Sequence, residues 1–480
     1  MSHSSLLPSP SVLPKRALSL DALRGFAILT MVLSGVIPYG VLPAWMYHAQ
    51  LPPPTHKFDA GLPGLTWVDL VFPFFIFSMG AAFPLAFSRR LEKGTPHWKI
   101  LFSIAERGFL LGSFAIFLQH VRPYQINSSP TTATWLLAML GFALMFLMYG
   151  RFPWKWSSWV GWGVKAAGWI GAILFMIWIR YPDGSGFIKG RSDIIIVILT
   201  NIAVFGSLVW LLTRSNLLLR LGVLGAIMAL RLSGVEAGWI APIWGNSFMN
   251  WILMVGTLSY LFVAIPGTIA GDLLLQWMNA PDAPSDARKQ WSKGRYGLIF
   301  ALMMVFVLLL LIGLQGRHVF VTTLLAAGLS AAGWRLFANP GNSFETLLRK
   351  LFGWGVYWLL IGLLFDPYQG GIKKDPATMS YFLVTSGLAC FMLVAFAVVI
   401  DVFRKQKWMQ LLIDNGQNPM IAYTAHGNFL LPLLVMTGLG DLLQKITPTP
   451  WLGALRGVFV TLLVALFVSV FTRKKIFWRT

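Results

Sequence analysis

Two histidines, a proline-rich loop and an aspartate meet the start of a long apolar run between Trp45 and Gly80, in WMYHAQLPPPTHKFDAGLPGLTWVDLVFPFFIFSMG. Asp69 stands between Val68 and Leu70, just ahead of Phe72-Pro73-Phe74-Phe75. A carboxylate within the hydrocarbon zone costs about 2.5–3.5 kcal/mol on insertion scales, so it is a functional candidate wherever a partner can be named. The partners nearest in sequence are His48, His56 and the Trp67 indole N–H. Acyl transfer to an amine or hydroxyl needs a neutral imidazole, as nucleophile or base, with a carboxylate to fix its tautomer. Either histidine with Asp69 supplies that pair if the loop folds back over the helix mouth. His48, His56, Asp59 and Asp69 also contain the donors of a zinc site, but their spacing is irregular and no metal is expected.

The elements that must position these residues are membrane helices. The chain has 480 residues, 56% hydrophobic and 11% charged, with mean hydropathy +0.69. A soluble domain carries roughly 25% charged residues, so this composition belongs in lipid. Segments long enough to span fall near Ala22–Val41, Trp67–Phe87, Leu101–Gln119, Thr132–Tyr149, Val160–Ile179 and Asp193–Leu212. They continue at Asn250–Met278, Tyr296–Leu314, Val319–Phe337, Leu351–Phe365, Ser380–Phe403, Leu411–Val435 and Leu452–Phe471. Leu217–Leu230 is shorter and interrupted by Arg220, which leaves an expected count of 11 to 14 spans. The expected fold is an all-α polytopic bundle, with residues 1–17 a cytoplasmic tail and 18–480 a single transmembrane domain. The segment 281–295 is its polar cytoplasmic loop.

Lys and Arg outnumber Asp and Glu by 38 to 17. If every segment spans, Lys15/Arg16, Arg89/Arg90/Lys93, Arg151/Lys155, Arg288/Lys289, Arg349/Lys350, Arg404/Lys405 and Arg473/Lys474 share one side, which the positive-inside rule makes cytoplasmic. Basic residues scattered in short loops exclude a nucleic-acid surface. The partner expected for the whole chain is the lipid bilayer. Lys373 and Lys374 break the bias by lying on the opposite side, which favours a role for them. The sole cysteine, Cys390, excludes an intrachain disulfide. Met1 to Pro14 is Ser/Pro-rich without an apolar core, so the first membrane helix is expected to direct insertion.

Ser19-Leu20-Asp21-Ala22-Leu23-Arg24-Gly25 opens the first span, with Asp21 and Arg24 spaced to share one helix face. SLDALRG, a downstream His-Ala at His48-Ala49, and TWVDLVFPFFIFSMG together resemble the heparan-alpha-glucosaminide N-acetyltransferase family of transmembrane acyltransferases. Further blocks that look like that family are Gly371-Ile372-Lys373-Lys374 with Thr378-Met379-Ser380-Tyr381, and Asn418-Pro419-Met420 through Tyr423 to His426. The middle, about Gln119 to Gly370, contributes little beyond hydropathy.

The resemblance implies an enzyme that moves an acetyl group from cytoplasmic acetyl-CoA to an amino sugar or other glycan acceptor across the membrane. It implies that a histidine in the loop before the DLVFP helix is essential. His48 keeps the His-Ala dipeptide and its aromatic lead-in, while His56 keeps closer spacing to Asp69; His48 is preferred. The insert Gln50 to Pro63 is longer than in relatives, and Gly427 follows His426 where relatives often carry Glu. Lys374, Asn418 and Tyr423 are candidate donors to the developing oxyanion. His426 is a candidate of the same block, and Trp45 a candidate for stacking on a sugar. Arg24, Arg89 and Arg90 are candidates for the cofactor phosphates. The expected setting is a bacterial inner membrane with a cytoplasmic N-terminus, and the expected assembly is a homodimer. The alternative is a transporter of a sugar or anionic solute using the same polar residues as its binding site.

Overall fold

The computed structural model describes residues 16–40, 42–245, 253–281 and 290–479. Lys15, Val41, Asn250, Arg288, Lys289 and most of the polar 281–295 segment lie outside the described residues. Among the described residues are 14 helices long and apolar enough to cross a membrane. They are α1 Leu18–Val36, α2 Trp67–Glu92, α3 His97–His120, α4 Thr132–Tyr149, α5 Ser158–Trp178, α6 Ile194–Thr213 and α7 Leu217–Gly234. Then come α8 Val255–Asn279, α9 Lys293–Gln315, α10 Val319–Leu336, α11 Ser343–Leu364, α12 Met379–Val402, α13 Pro419–Met436 and α14 Pro450–Arg473. The protein is an all-α, multi-pass membrane helix bundle. Among the described residues the one β-ladder pairs Gly150–Arg151 antiparallel with Phe477–Trp478, and an isolated bridge joins Lys374 and Ala377.

The centre is built by α2, α8 and α12, whose apolar windows are 83%, 78% and 94% buried; α5, at 11%, and α7, at 17%, lie on the periphery. Lipid tails are as apolar as leucine side chains, so helices join tightly where small residues let backbones approach. Along the α2–α8 crossing, a Cβ on Gly80 would sit 2.1 Å from Ala264 O, and Cβ atoms on Gly267 and Gly271 would sit 2.2 and 2.3 Å from Phe77 O and Ala81 O.

Several boundaries differ from the sequence expectation for local reasons. α1 begins at Leu18 rather than Ala22, which brings Asp21 into its first turn, where a carboxylate suits the helix dipole. α11 begins at Ser343, eight residues early, because Asn342 caps it and Glu345 is buried on Trp291 N, Tyr296 Oη and Gly341 N. The interrupted segment is a full helix, α7: Arg220 is buried but paired with Asp272 and bonded to Thr213 and Thr268. The expected Leu411–Val435 span is broken. A short helix Gln410–Gln417 stops at Asn418, and α13 restarts with Pro419 at its first position and widens into a π-turn at His426–Leu430. Proline disfavours α geometry in the residue before it, which accounts for the break at Asn418.

Contacts define two ends of the bundle. At the near end, where α1 begins, lie Arg24, Arg90, Gln417 and the Phe477–Trp478 strand. At the far end, where α2 begins, lie the segments 37–40, 42–66 and 365–378.

Candidate functional site

At the far end, α2 starts with a capping box. Thr66 and Asp69 cap each other's backbone, and Asp69 Oδ2 accepts from Thr66 N, Thr66 Oγ1 and Ala49 N at 3.0, 3.1 and 3.2 Å. The other oxygen, Oδ1, is buried and accepts no hydrogen bond. It faces His48 Nε2 at 3.4 Å and Lys374 Nζ at 3.9 Å. Gln50 N donates to His48 Nδ1 at 3.0 Å, which assigns the ring proton to Nε2, toward the carboxylate. Asp69 is 1% exposed, while His48 at 14% and Lys374 at 24% can be reached from the far end.

Burial pushes the His48 imidazole below its ordinary range, partly offset by the negative Asp69, so the ring is neutral near pH 7. Burial likewise lowers the Lys374 ammonium, with Asp69 and Asp375 acting in the opposite direction.

Two loops converge to make this arrangement. Buried Gln50 donates its amide to Asp375 O and accepts from Asp375 N at 2.8 Å, tying the histidine loop to the lysine loop. Gly64 N donates to Ile372 O at 2.9 Å, and Tyr381 Oη donates to Asp69 O at 2.8 Å. Asp366 holds the second loop, paired with both terminal nitrogens of Arg317 at 3.1 and 2.9 Å while accepting from Ile372 N.

The remaining sequence candidates are placed elsewhere. His56 spends both ring nitrogens on backbone: Nε2 accepts from Gly40 N at 2.7 Å and Nδ1 donates to Leu51 O at 3.1 Å, with the ring between Tyr39 and Tyr47. Trp45 is exposed and packs near Trp451 rather than over the His48–Asp69 pair. Asn418 belongs to the near end, where it donates to Ile476 O and accepts from Trp478 N. Tyr423 bonds Asp193 Oδ2 at 3.0 Å beside Arg122, and His426 lies one turn beyond it. Of the three proposed oxyanion donors, only Lys374 is brought to Asp69.

The near end carries a cavity of about 490 Å³ lined by Arg24, Arg90, Arg107 and Arg479, with Glu106 the one acidic side chain among its lining residues. Phe75 and Met79 of α2 form part of its apolar wall. Arg24 is fixed by bonds to Ser78 O at 3.1 Å and Gly416 O at 3.3 Å, and Arg90 by Ser103 Oγ at 3.0 Å. Arg107 Nε is buried and has no hydrogen-bond partner, so the cavity offers an unused donor. Arg89 is exposed and does not line it.

Sequence reasoning missed Arg107, Arg479 and Gln50. The signal for Arg107 was present: a charge inside an apolar run, as Glu106-Arg107 is, marks a functional position by the same argument that singled out Asp69. Gln50 and Arg479 carry no such signal, because Gln50 is bonded to Asp375 and Arg479 N to Tyr149 O, each across more than 300 residues of sequence.

The profile of a domain family of unknown function (DUF5009) matches residues 16–274, just over half of the chain. Arg24, His48, Asp69, Arg90 and Arg107 fall inside that match; Lys374, Asp375 and Arg479 lie outside it. The human protein heparan-alpha-glucosaminide N-acetyltransferase is 37% identical over 101 residues, covering 21% of this chain and 13% of the human protein. The chain belongs to the DUF5009 family and is related to the heparan-alpha-glucosaminide N-acetyltransferases.

Proposed function

We propose that this protein is a transmembrane acetyltransferase that takes the acetyl group of cytoplasmic acetyl-CoA to an amino sugar, or another glycan group, at the opposite face. The observation that carries the reading is that α2 joins two complementary sites. It bears His48's partner Asp69 at one end, and lines the arginine cavity through Phe75, Met79 and Arg90 toward the other. With the basic loops facing the cytoplasm, the arginine cavity opens there and the His48–Asp69 pair faces outward.

Four arginines against one glutamate suit a donor with several phosphates, and the unpartnered Arg107 Nε is a ready contact for one of them. At 1.5 Å per residue, Arg90 and Phe75 are about 22 Å apart along the helix, and Phe75 lies about 9 Å from the level of Asp69. A long flexible donor arm anchored at the arginines is therefore directed along α2 toward the far end.

At His48 the acceptor amine attacks the thioester carbonyl, forming the C–N bond. The imidazole takes the amine proton at Nδ1, the nitrogen turned away from Asp69, once substrate displaces the Gln50 N–H. Collapse breaks the C–S bond, and the proton returns to the departing sulfur. Asp69 holds the ring and stabilises the imidazolium; the Lys374 ammonium stabilises the oxyanion.

The test is label transfer from radiolabelled acetyl-CoA to glucosamine by protein reconstituted in liposomes. Loss of about 100-fold or more is expected for His48→Ala. His56→Ala lowers the melting temperature but keeps transfer per folded molecule. Wild-type protein that moves no label, or a His48→Ala variant with full activity, defeats the reading.

A further inference from the structure

Part of the wall of the near-end cavity comes from outside the membrane helices. Beyond α14 the chain turns through Lys475, at a φ of 58°, and runs back along α4 as the Phe477–Trp478 strand. Ile476 N donates to Phe471 O and Arg479 N to Tyr149 O, each at 2.9 Å, which pins the segment at both ends. Between the pins stands Asn418, fully buried. Its Nδ2 donates to Ile476 O at 2.8 Å and its Oδ1 accepts from Trp478 N at 3.2 Å. A side-chain amide carries one donor and one acceptor side by side, which neither a carboxylate nor an aliphatic side chain can offer. The position is available because Pro419 ends the preceding helix, leaving Asn418 at φ −132° and ψ 50°, outside helical geometry.

What the segment brings to the cavity is Trp478 and Arg479. The Trp478 ring is wedged among Phe114, Phe142 and Phe146, yet its indole Nε1 is buried without a hydrogen-bond partner. The Arg479 guanidinium lies 5.0 Å over the Phe477 ring and forms no ion pair among the described residues. Burial, then the neighbouring Arg151, Arg24 and Arg16, push that guanidinium below its ordinary range, with Asp21 opposing. An unmatched indole N–H and a cation crowded by like charges are both costs that a bound anion with oxygen acceptors removes.

We propose that Asn418 is a positioning residue for the phosphate-bearing donor: it holds the Ile476–Arg479 segment so that the Trp478 indole N–H and the Arg479 guanidinium grip one phosphate group. The donor is the coenzyme of the proposed function, on which this assignment rests. Asn418 itself touches no ligand. Its effect passes through Ile476 O and Trp478 N, so the segment's order and the donor's affinity rise and fall together.

Binding of 3′-phosphoadenosine 5′-diphosphate is measured by calorimetry on the full chain in phosphatidylcholine nanodiscs, with hydrogen exchange at the Trp478 and Arg479 amides. Arg479→Gln and Trp478→Phe, which keeps an aromatic ring in place, are each expected to weaken binding about tenfold, the effect of one hydrogen bond to a charged group. Arg479→Lys keeps the charge and recovers affinity to within about threefold of wild type. Asn418→Ala weakens binding at least as much as Arg479→Gln and speeds exchange at both amides, and the ligand slows that exchange again. Where Asn418→Ala fails to fold, Asn418→Asp serves in its place, retaining the acceptor for Trp478 N and losing the donor to Ile476 O. Wild-type affinity in both Trp478→Phe and Arg479→Gln overturns the inference. So does an Asn418 variant that melts lower but binds as wild type does, since that is a structural role only. Label transfer is assayed in parallel. Binding that depends on the segment without any transfer removes the transferase reading alone, and transfer with wild-type donor affinity in every variant removes this inference alone.

Discussion

Asp69 presents Oδ1 to His48 Nε2 at 3.4 Å while its Oδ2 caps the helix that carries it. One carboxylate therefore fixes both the start of α2 and the orientation of the imidazole. The cap explains how an acidic residue is tolerated at the border of the hydrocarbon: three donors satisfy one oxygen, and the other is opposed by a lysine.

Asp69→Asn separates these tasks. The amide oxygen still accepts from Thr66 N, so the helix start survives, but the amide NH₂ replaces the carboxylate oxygen opposite His48 and leaves Lys374 without its counter-charge. Acetyl transfer is expected to fall by about 100-fold or more. Stability is expected to drop by about 1–3 kcal/mol, the cost of an unmatched buried polar group. Label transfer and a detergent melting curve check the two separately, and unchanged transfer would remove Asp69 from the site.

The pH profile of transfer should follow the two lowered groups. Falling pH protonates His48 and removes the base, and because burial lowers that group the acid limb lies below the ordinary 6.5. Rising pH discharges Lys374, and its limb lies below the ordinary 10.5. Asp69 opposes the lowering of His48, so Asp69→Asn should shift the acid limb of its residual activity further down. A shift upward would contradict the pairing.

Much of this site was legible in the sequence, and its limits are physical. His48, Asp69 and Arg24 stand out because a charge or imidazole beside an apolar run carries a cost that composition reveals. The preference for His48 rested on its neighbours Tyr47 and Ala49; the structure adds that His56 has both ring nitrogens on backbone. Which basic residues share a cavity was not legible. Arg89 and Arg90 look equivalent in sequence, but a helix turns 100° between them, so one lines the cavity and the other meets solvent. Asn418 reads as a donor near the chemistry, yet it serves the near end because Pro419 breaks the helix there. The span count was readable from hydropathy. The start of α11 was not, since its first turns are held by the buried Glu345 network rather than by apolar sequence.

Gln50→Ala tests the joint between the two loops. It removes both bonds to Asp375 and frees the lysine loop from the histidine loop. The expected result is a lower kcat with little change in donor KM, and an acid limb that moves up toward 6.5 as His48 becomes less buried. A purely structural role would lower the melting temperature and leave the pH profile in place. Gln50→Glu should recover less than half of the activity, because a carboxylate cannot donate to Asp375 O.

The arginine cavity predicts unequal effects from similar substitutions. Arg107→Gln removes the cavity's unpartnered donor and should weaken binding of 3′-phosphoadenosine 5′-diphosphate by about tenfold, the loss of one charge-assisted contact. Arg89→Gln, on a side chain outside the cavity, should change binding by less than about twofold. Calorimetry at two salt concentrations distinguishes them, since high salt screens the small long-range contribution of the exposed Arg89 while the buried Arg107 contact largely persists. Equal losses at both positions would mean that the basic loop, not the cavity, attracts the phosphates.

Gly25 and Gly416 form the closest backbone crossing at the near end, and Arg24 depends on it. A Cβ at Gly25 would sit 1.8 Å from Leu412 O, and one at Gly416 would sit 1.8 Å from Asp21 O. Neither carbonyl can yield without moving its helix. Gly25→Ala must therefore push α1 from the Gln410–Gln417 helix, breaking the Arg24 bond to Gly416 O and releasing that guanidinium from the cavity wall. The expected outcome is a loss of several degrees in melting temperature together with about tenfold weaker donor binding. Gly35→Ala is the control: it lies on the same helix with nothing within 4 Å of the added Cβ, and should leave both quantities unchanged. If Gly25→Ala proves as silent as Gly35→Ala, the crossing does not hold Arg24 in place, and the glycine of SLDALRG needs another explanation.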